Sequence, residues 1–232
     1  FFGKPCGLMD QTACAVGGVI TIDFKDNAHP VVNQVPFDLA GHGYALCISD
    51  TKGSHADLTD DYAAIRREME SVAEFFGKNV LREVDEAEFY ANLKAAREAA
   101  GDRAVLRAMH FFDENRRVQR QVQALEAGDF EGFLAGVRES GHSSWMLLQN
   151  VIPTGSREHQ QMALALAACE KQLAGRGACR VHGGGFAGTV QAFVPFDLLD
   201  SFRAGIDAAL GEGACHVLSI RPQGGVEMEV EA

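Results

Sequence analysis

Arg180-Val181-His182-Gly183-Gly184-Gly185-Phe186-Ala187-Gly188-Thr189-Val190 reads as strand, glycine loop, strand. The flanking runs 179–182 and 189–194 are short and rich in apolar or β-branched residues, and four of the six positions 183–188 between them are glycine. Without Cβ atoms, successive backbone N–H groups can turn toward one point and an anion can approach the main chain closely. Phosphate suits such a loop, but so does the plainer role of a tight β-turn where a helix packs closely on the sheet; the residues leave both open. Context removes three other uses. A dinucleotide fingerprint needs its glycines to open a helix, whereas 189–194 is extended. A protein-kinase phosphate lid comes with V-A-I-K, H-R-D and D-F-G, and an esterase oxyanion loop with G-x-S-x-G; the chain has none of these.

Outward from the loop, strands and helices alternate. Downstream, Pro195 and Asp197 start a helix with Leu199, Phe202, Ile206 and Leu210 inward and Gly211 at its end, and 217–221 and 226–230 read as strands. Upstream, Met162, Leu166, Cys169 and Leu173 lie at helical spacing. Further back, four helices in a row suggest a bundle-like layer. The first carries Tyr62, Ile65, Met69, Val72 and Phe76 on one face, and the second is capped by Asp85. The third runs through Val105, Met109, Phe112, Val118, Val122 and Leu125. The fourth carries Phe130, Phe133, Leu134 and Val137 and is interrupted at Gly141. Runs 19–24, 31–36 and 44–49 look like three consecutive antiparallel strands, preceded by a short helix around Leu8-Met9-Asp10-Gln11. The pattern implies an α+β fold.

Composition narrows function. The 232 residues hold 21 Lys plus Arg against 32 Asp plus Glu, a net charge of −11 that repels nucleic-acid phosphates and anionic membrane. No apolar stretch approaches the roughly 20 residues that span a bilayer, and no basic segment followed by an apolar run opens the chain. Neither nucleic acid nor membrane is expected as a partner. The six cysteines form no C-x-x-C pair and the eight histidines no H-E-x-x-H, so we expect buried thiols in a reduced, cytoplasmic compartment and no protein-built metal site. The opening Phe1-Phe2-Gly3-Lys4-Pro5, without an initiator Met, suggests a piece of a longer protein.

A second candidate site is Pro5-Cys6-Gly7-Leu8-Met9-Asp10-Gln11. A carboxylate just inside a helix is stabilised by the dipole and free N–H groups, so Asp10 can stay ionised and orient or accept a proton; its plain role would be helix capping. Combined with the distant glycine loop, the segment resembles the galactokinases of the GHMP small-molecule kinase superfamily. Pro5 to Gln11 is similar to their P-C-G-[IL]-M-D-Q, Gly183-Gly184-Gly185-Phe186-Ala187-Gly188 to G-G-G-F-[GA]-G, and Asp61-Tyr62-Ala63-Ala64-Ile65-Arg66-Arg67 to E-Y-x-x-x-R-R. Glu114-Asn115-Arg116-Arg117-Val118 matches E-N-x-R-V, while Gly128-Asp129-Phe130 and Ser140-Gly141-His142-Ser143 are similar to G-D-F and S-H-x-S.

What the resemblance implies is ATP-dependent phosphorylation of the anomeric hydroxyl of galactose. Asp10 takes the place of the catalytic carboxylate, Tyr62 that of the sugar-contacting phenol, and Gly183, Gly184, Gly185 and Gly188 line the nucleotide side of a cleft. It further implies a remnant of an N-terminal lobe, residues 1–50, and a ferredoxin-like C-terminal lobe with added helices, residues 51–232. The family's G-R-x-N-L-I-G-E-H-T-D-Y segment and its P-x-G-x-G-L-S-S-S-A loop, which holds ATP phosphates and magnesium, do not occur in these residues. The chain alone is therefore expected to be inactive, and to be either a C-terminal portion separated from its parent, a chain with a companion N-terminal fragment, or a natural remnant, with the magnesium ligands in the missing N-terminal segment. The segment Gln149-Asn150-Val151-Ile152-Pro153 lacks the family's wording and is left unassigned. The alternatives are a non-catalytic sugar or nucleotide sensor on the same scaffold, or another sugar kinase of the superfamily such as an N-acetylgalactosamine kinase.

Overall fold

Four antiparallel strands form the layer on which the rest is built: β3 (Tyr44–Asp50), β4 (Ala178–His182), β5 (Thr189–Pro195) and β6 (Cys215–Leu218), in spatial order β4-β5-β3-β6. The computed structural model describes residues 7–54 and 58–226. β3 leads through helices to β4, a short turn leads to β5, and α8 (Leu199–Leu210) leads to β6, which is the split βαβ arrangement of ferredoxin-like sheets. The expectation of a ferredoxin-like lobe with added helices is met.

The two faces of the sheet follow from strand alternation. Ala45, Cys47, Val181, Val190, Ala192 and Val194 face one way, under α8 and α7 (Gln161–Leu173), whose Met162, Ala165, Cys169, Phe202 and Ile206 are fully buried against them. Removing an Ile or Phe side chain of that kind from water stabilises by about 1.5–3 kcal/mol. Ala178 and Phe193 face the other way, toward Phe130, Leu134 and Val137 of α6 (Phe130–Ser143). Gly141 is continuous helix rather than an interruption: a Cβ there would lie 3.1 Å from the Cys179 carbonyl oxygen, so glycine lets α6 approach β4. The helix then widens into a π-helical turn, Ser144–Leu148.

A second core joins α2 (Thr59–Phe75), α3 (Glu86–Ala91), α4 (Leu93–Ala100) and α5 (Asp102–Glu126) through Val72, Phe89, Ala96, Val105 and Phe112. Asp85 caps α3 as its sequence predicts, accepting from Glu88 N at 2.9 Å. Between α2 and α5, Glu68 receives both Arg103 and Arg107, and the buried Arg107 also donates Nε to Leu148 O at 3.0 Å.

Ahead of the sheet stand α1 (Met9–Val16) and the antiparallel hairpin of β1 (Val19–Asp23) and β2 (Val31–Val35). No residue of α1 is buried. Gly18 N donates to Arg221 O at 2.8 Å and Gly225 N to Ala15 O at 3.0 Å, fastening the end of α1 to the segment after β6. Gly17 and Gly224 meet there with no room for a Cβ on either.

The three early strands are not one meander. β3 leaves the hairpin and becomes a central strand between β5 and β6, so the expected boundary at residue 50 falls at the last residue of a strand whose partners lie at 189–195 and 215–218. Cys14 is exposed rather than buried, because α1 packs only weakly, while Cys47, Cys169, Cys179 and Cys215 are buried free thiols as expected. β6 begins two residues before the expected 217 and ends at Leu218, and most of the expected strand 226–230 lies outside the described residues.

Candidate functional site

The glycine loop leaves β4 at His182 and returns into β5 at Thr189, its register partner. Gly183, Gly185 and Gly188 have φ of +73°, +83° and +89°, values that carry little steric cost only without a Cβ. Phe186 shares this conformation at φ +59° although it bears a side chain, so neighbours must hold it there.

Tyr62, in the first turn of α2, is one of them. Its hydroxyl donates to Gly185 O at 2.7 Å, and its ring meets the Phe186 ring edge-on with centroids 5.4 Å apart. A Cβ on Gly184 would lie 2.8 Å from Tyr62 Cε1, so glycine at 184 is what admits the ring. Burial, and secondarily the charge of Asp61, raise the Tyr62 pKa, keeping the phenol protonated as a donor. Asp61 accepts from Thr154 Oγ1 at 2.5 Å and Thr154 N at 3.2 Å, anchoring the connection before α7 to the start of α2. Asn150 completes the cradle: its Nδ2 donates to Gly184 O at 3.1 Å and its carbonyl oxygen accepts from Phe186 N at 2.5 Å.

Asp10 stands exposed in the first turn of α1, where the dipole favours its negative charge. Its carboxylate acts on His182 at the edge of the loop. Burial, followed by the charge of Arg180, holds the imidazole below its ordinary pKa, and Asp10 opposes them. Arg180 lies 3.5 Å from Glu114 Oε1 across the sheet's α6 face, which ties α5 to β4.

Of the residues singled out in the sequence, Tyr62, Gly184 and Gly185 thus meet directly. Ser143 is committed to His110, 2.8 Å between Oγ and Nδ1, Asn115 to Phe111 O, and Arg66 to Glu70. Asn150 and Asp61 carry contacts to the loop and its surroundings that the sequence did not mark. A separate cleft of about 570 Å³ lies between α6 and α7 near the start of β4; Trp145, Leu166 and Arg138 help line it, as does His142 of the S-H-x-S landmark, while Asp10, Tyr62 and the loop glycines do not.

No family model matches the chain. Its sequence is 32% identical to the galactokinase of Streptomyces coelicolor over 97% of this chain and 56% of that protein, and 33% identical to the galactokinase of Streptomyces lividans over 90% of this chain and 50% of that one. The chain is a homologue of the galactokinases. It spans about half the length of these relatives. The galactokinase of Lactococcus lactis, solved in complex with galactose, superposes on this galactokinase homologue with a TM-score of 0.73 at 22% identity, covering 97% of this chain and 57% of that one. Mevalonate kinase from L. major, solved with R-mevalonate, gives 0.58 at 15% identity. The fold is that of the GHMP kinases, as expected.

Proposed function

We propose that the chain forms part of a cytoplasmic galactokinase, transferring the γ-phosphoryl group of ATP to the anomeric hydroxyl of galactose. The hydrogen bond from Tyr62 to Gly185 O carries this reading, because it sets the sugar-side helix of the resemblance against the nucleotide-side loop. In the proposed reaction the sugar oxygen bonds to the γ-phosphorus as the bridging P–O bond breaks, the hydroxyl proton passes to the Asp10 carboxylate, and ADP leaves. Phosphoryl transfer asks the protein mainly for positioning and charge neutralisation. Asp10 orients the nucleophile, Tyr62 lies on the sugar side, and the main-chain amides of Gly183, Gly184, Gly185 and Gly188 lie beside the phosphates, those of Phe186 and Ala187 being bonded within the protein.

Among the described residues no group of three or more His, Cys, Asp or Glu side chains is arranged to hold a metal ion, so no residue here is assigned to magnesium. The phosphate-loop pattern and the Arg-bearing segment are absent from these 232 residues, and losing even one such donor costs about 3–4 kcal/mol of transition-state stabilisation. We therefore propose that residues outside these 232 supply both. Galactose-dependent ADP release tests this: none is expected from the chain alone, and turnover is expected once a polypeptide bearing the two patterns is added. A reconstituted pair that binds both substrates without transferring phosphate would favour the sensor alternative, and a preference for another hexose would favour a different sugar kinase.

A further inference from the structure

We propose that Asn150 is the positioning residue of the glycine loop, holding 184–186 in the conformation that receives the nucleotide. The inference rests on the nucleotide-side reading of that loop. Asn150 is 2% exposed and lies just beyond the π-helical turn, on a segment with no counterpart in the family wording. It grips the loop twice, by its side-chain amide on Gly184 O and its main-chain carbonyl on Phe186 N. A Cβ on Gly185 would overlap that same carbonyl oxygen, so position 185 accepts only glycine while Asn150 is in place. Phe186 then sits in the left-handed region, a conformation that persists only where surrounding bonds over-determine it.

Asn150 Oδ1 is buried and has no hydrogen-bond partner among the described residues. A buried unpaired carbonyl is a standing cost that an apolar side chain at 150 would remove, so packing alone does not call for an amide there. The bond from Nδ2 to Gly184 does.

Because Oδ1 has no partner among the described residues, Asn150→Asp forfeits no acceptor bond: it replaces the amide donor and, when ionised, adds a negative charge. Ionised, the new carboxylate opposes the Gly184 carbonyl; protonated, it can donate in the amide's place. Asn150→Leu removes the donor at every pH. Tyr62 and Asp61 on α2, Arg107 on α5 beside Leu148 O, Arg180 and His182 on β4, and Asp10 on α1 are the ionisable groups that bear on the loop and its surroundings, and wild-type protein at each pH corrects for them. Deuterium uptake by the peptide 183–190 is followed at pH 8 and pH 5, corrected for intrinsic exchange. We expect at least tenfold faster exchange than wild type in Asn150→Leu at both pH values. In Asn150→Asp we expect it at pH 8 with recovery toward wild type at pH 5. Wild-type rates in both variants, or no recovery of Asp relative to Leu, would overturn the brace; should the Leu variant fail to fold, the Asp pair still decides. With the reconstituted pair, a fluorescent ATP analogue is expected to bind at least fivefold more weakly to Asn150→Asp at pH 8, with galactose affinity unchanged. A loosened loop with unchanged nucleotide affinity would overturn the positioning role. Wild-type protein that binds galactose but no nucleotide would instead sink the nucleotide-side reading and leave the brace standing.

Discussion

At Tyr62 a single hydroxyl joins the helical layer to the glycine loop. Tyr62→Phe keeps the ring on Phe186 but leaves Gly185 O without that donor, so we expect about 1–2 kcal/mol of lost stability by denaturant titration. Gly184→Ala would drive a methyl into the Tyr62 ring and should cost about 1–3 kcal/mol. In the Tyr62→Leu background the cost should shrink, which a double-mutant cycle measures. The glycine loop was legible from its composition and its flanking strands. Asn150 was not, because a lone amide in a connecting segment has no periodicity, and its partners lie 34 and 36 residues on at Gly184 and Phe186. Asp61 likewise meets Thr154 across 93 residues, a contact that no local pattern announces.

Helices α2, α5, α7 and α8 were readable because each buries one stripe at 3.6-residue spacing, as Met162, Cys169 and Leu173 do on α7. Strand pairing was not: alternation identifies β3 as a strand, but its partners β5 and β6 come more than 130 residues later. Nor did the sequence distinguish a glycine that ends a helix from Gly141, which stays helical because β4 lies against it. The junction of α2 and α5 gives the prediction for this scale. Arg107 is almost fully buried and Glu68 is its carboxylate partner, with Arg103 sharing it. Glu68→Ala would strand the buried guanidinium and should cost about 3–5 kcal/mol of unfolding free energy. Glu68→Gln with Arg107→Met should cost less than the sum of the single changes, because the stranded charge disappears with its partner.

Across the whole molecule, two histidines contribute to the loss of stability just below neutral pH, ahead of carboxylates such as Asp50 and Glu139 that act further into acid. His110, buried against Ser143, and His182 at the loop both have pKa values held below the ordinary 6.5, chiefly by burial. The unfolded chain takes up these protons first, so stability is complete above about pH 6.5 and falls as the pH drops from there through the depressed folded values. His110 can contribute a slope of up to about 1.4 kcal/mol per pH unit, and the more exposed His182 less. Melting temperatures across pH 5–8 should show this decline, and His110→Asn should flatten it.

A shared site requires that the helix bearing Asp10 look onto the glycine loop, and the His182 imidazole reports this without substrate or partner. Its titration should be followed by NMR in wild-type protein and in Asp10→Asn. Because the Asp10 charge favours the imidazolium, its removal should lower the His182 pKa further while leaving His110 unmoved. An unchanged His182 titration would place the proposed base away from the loop and contradict the shared site.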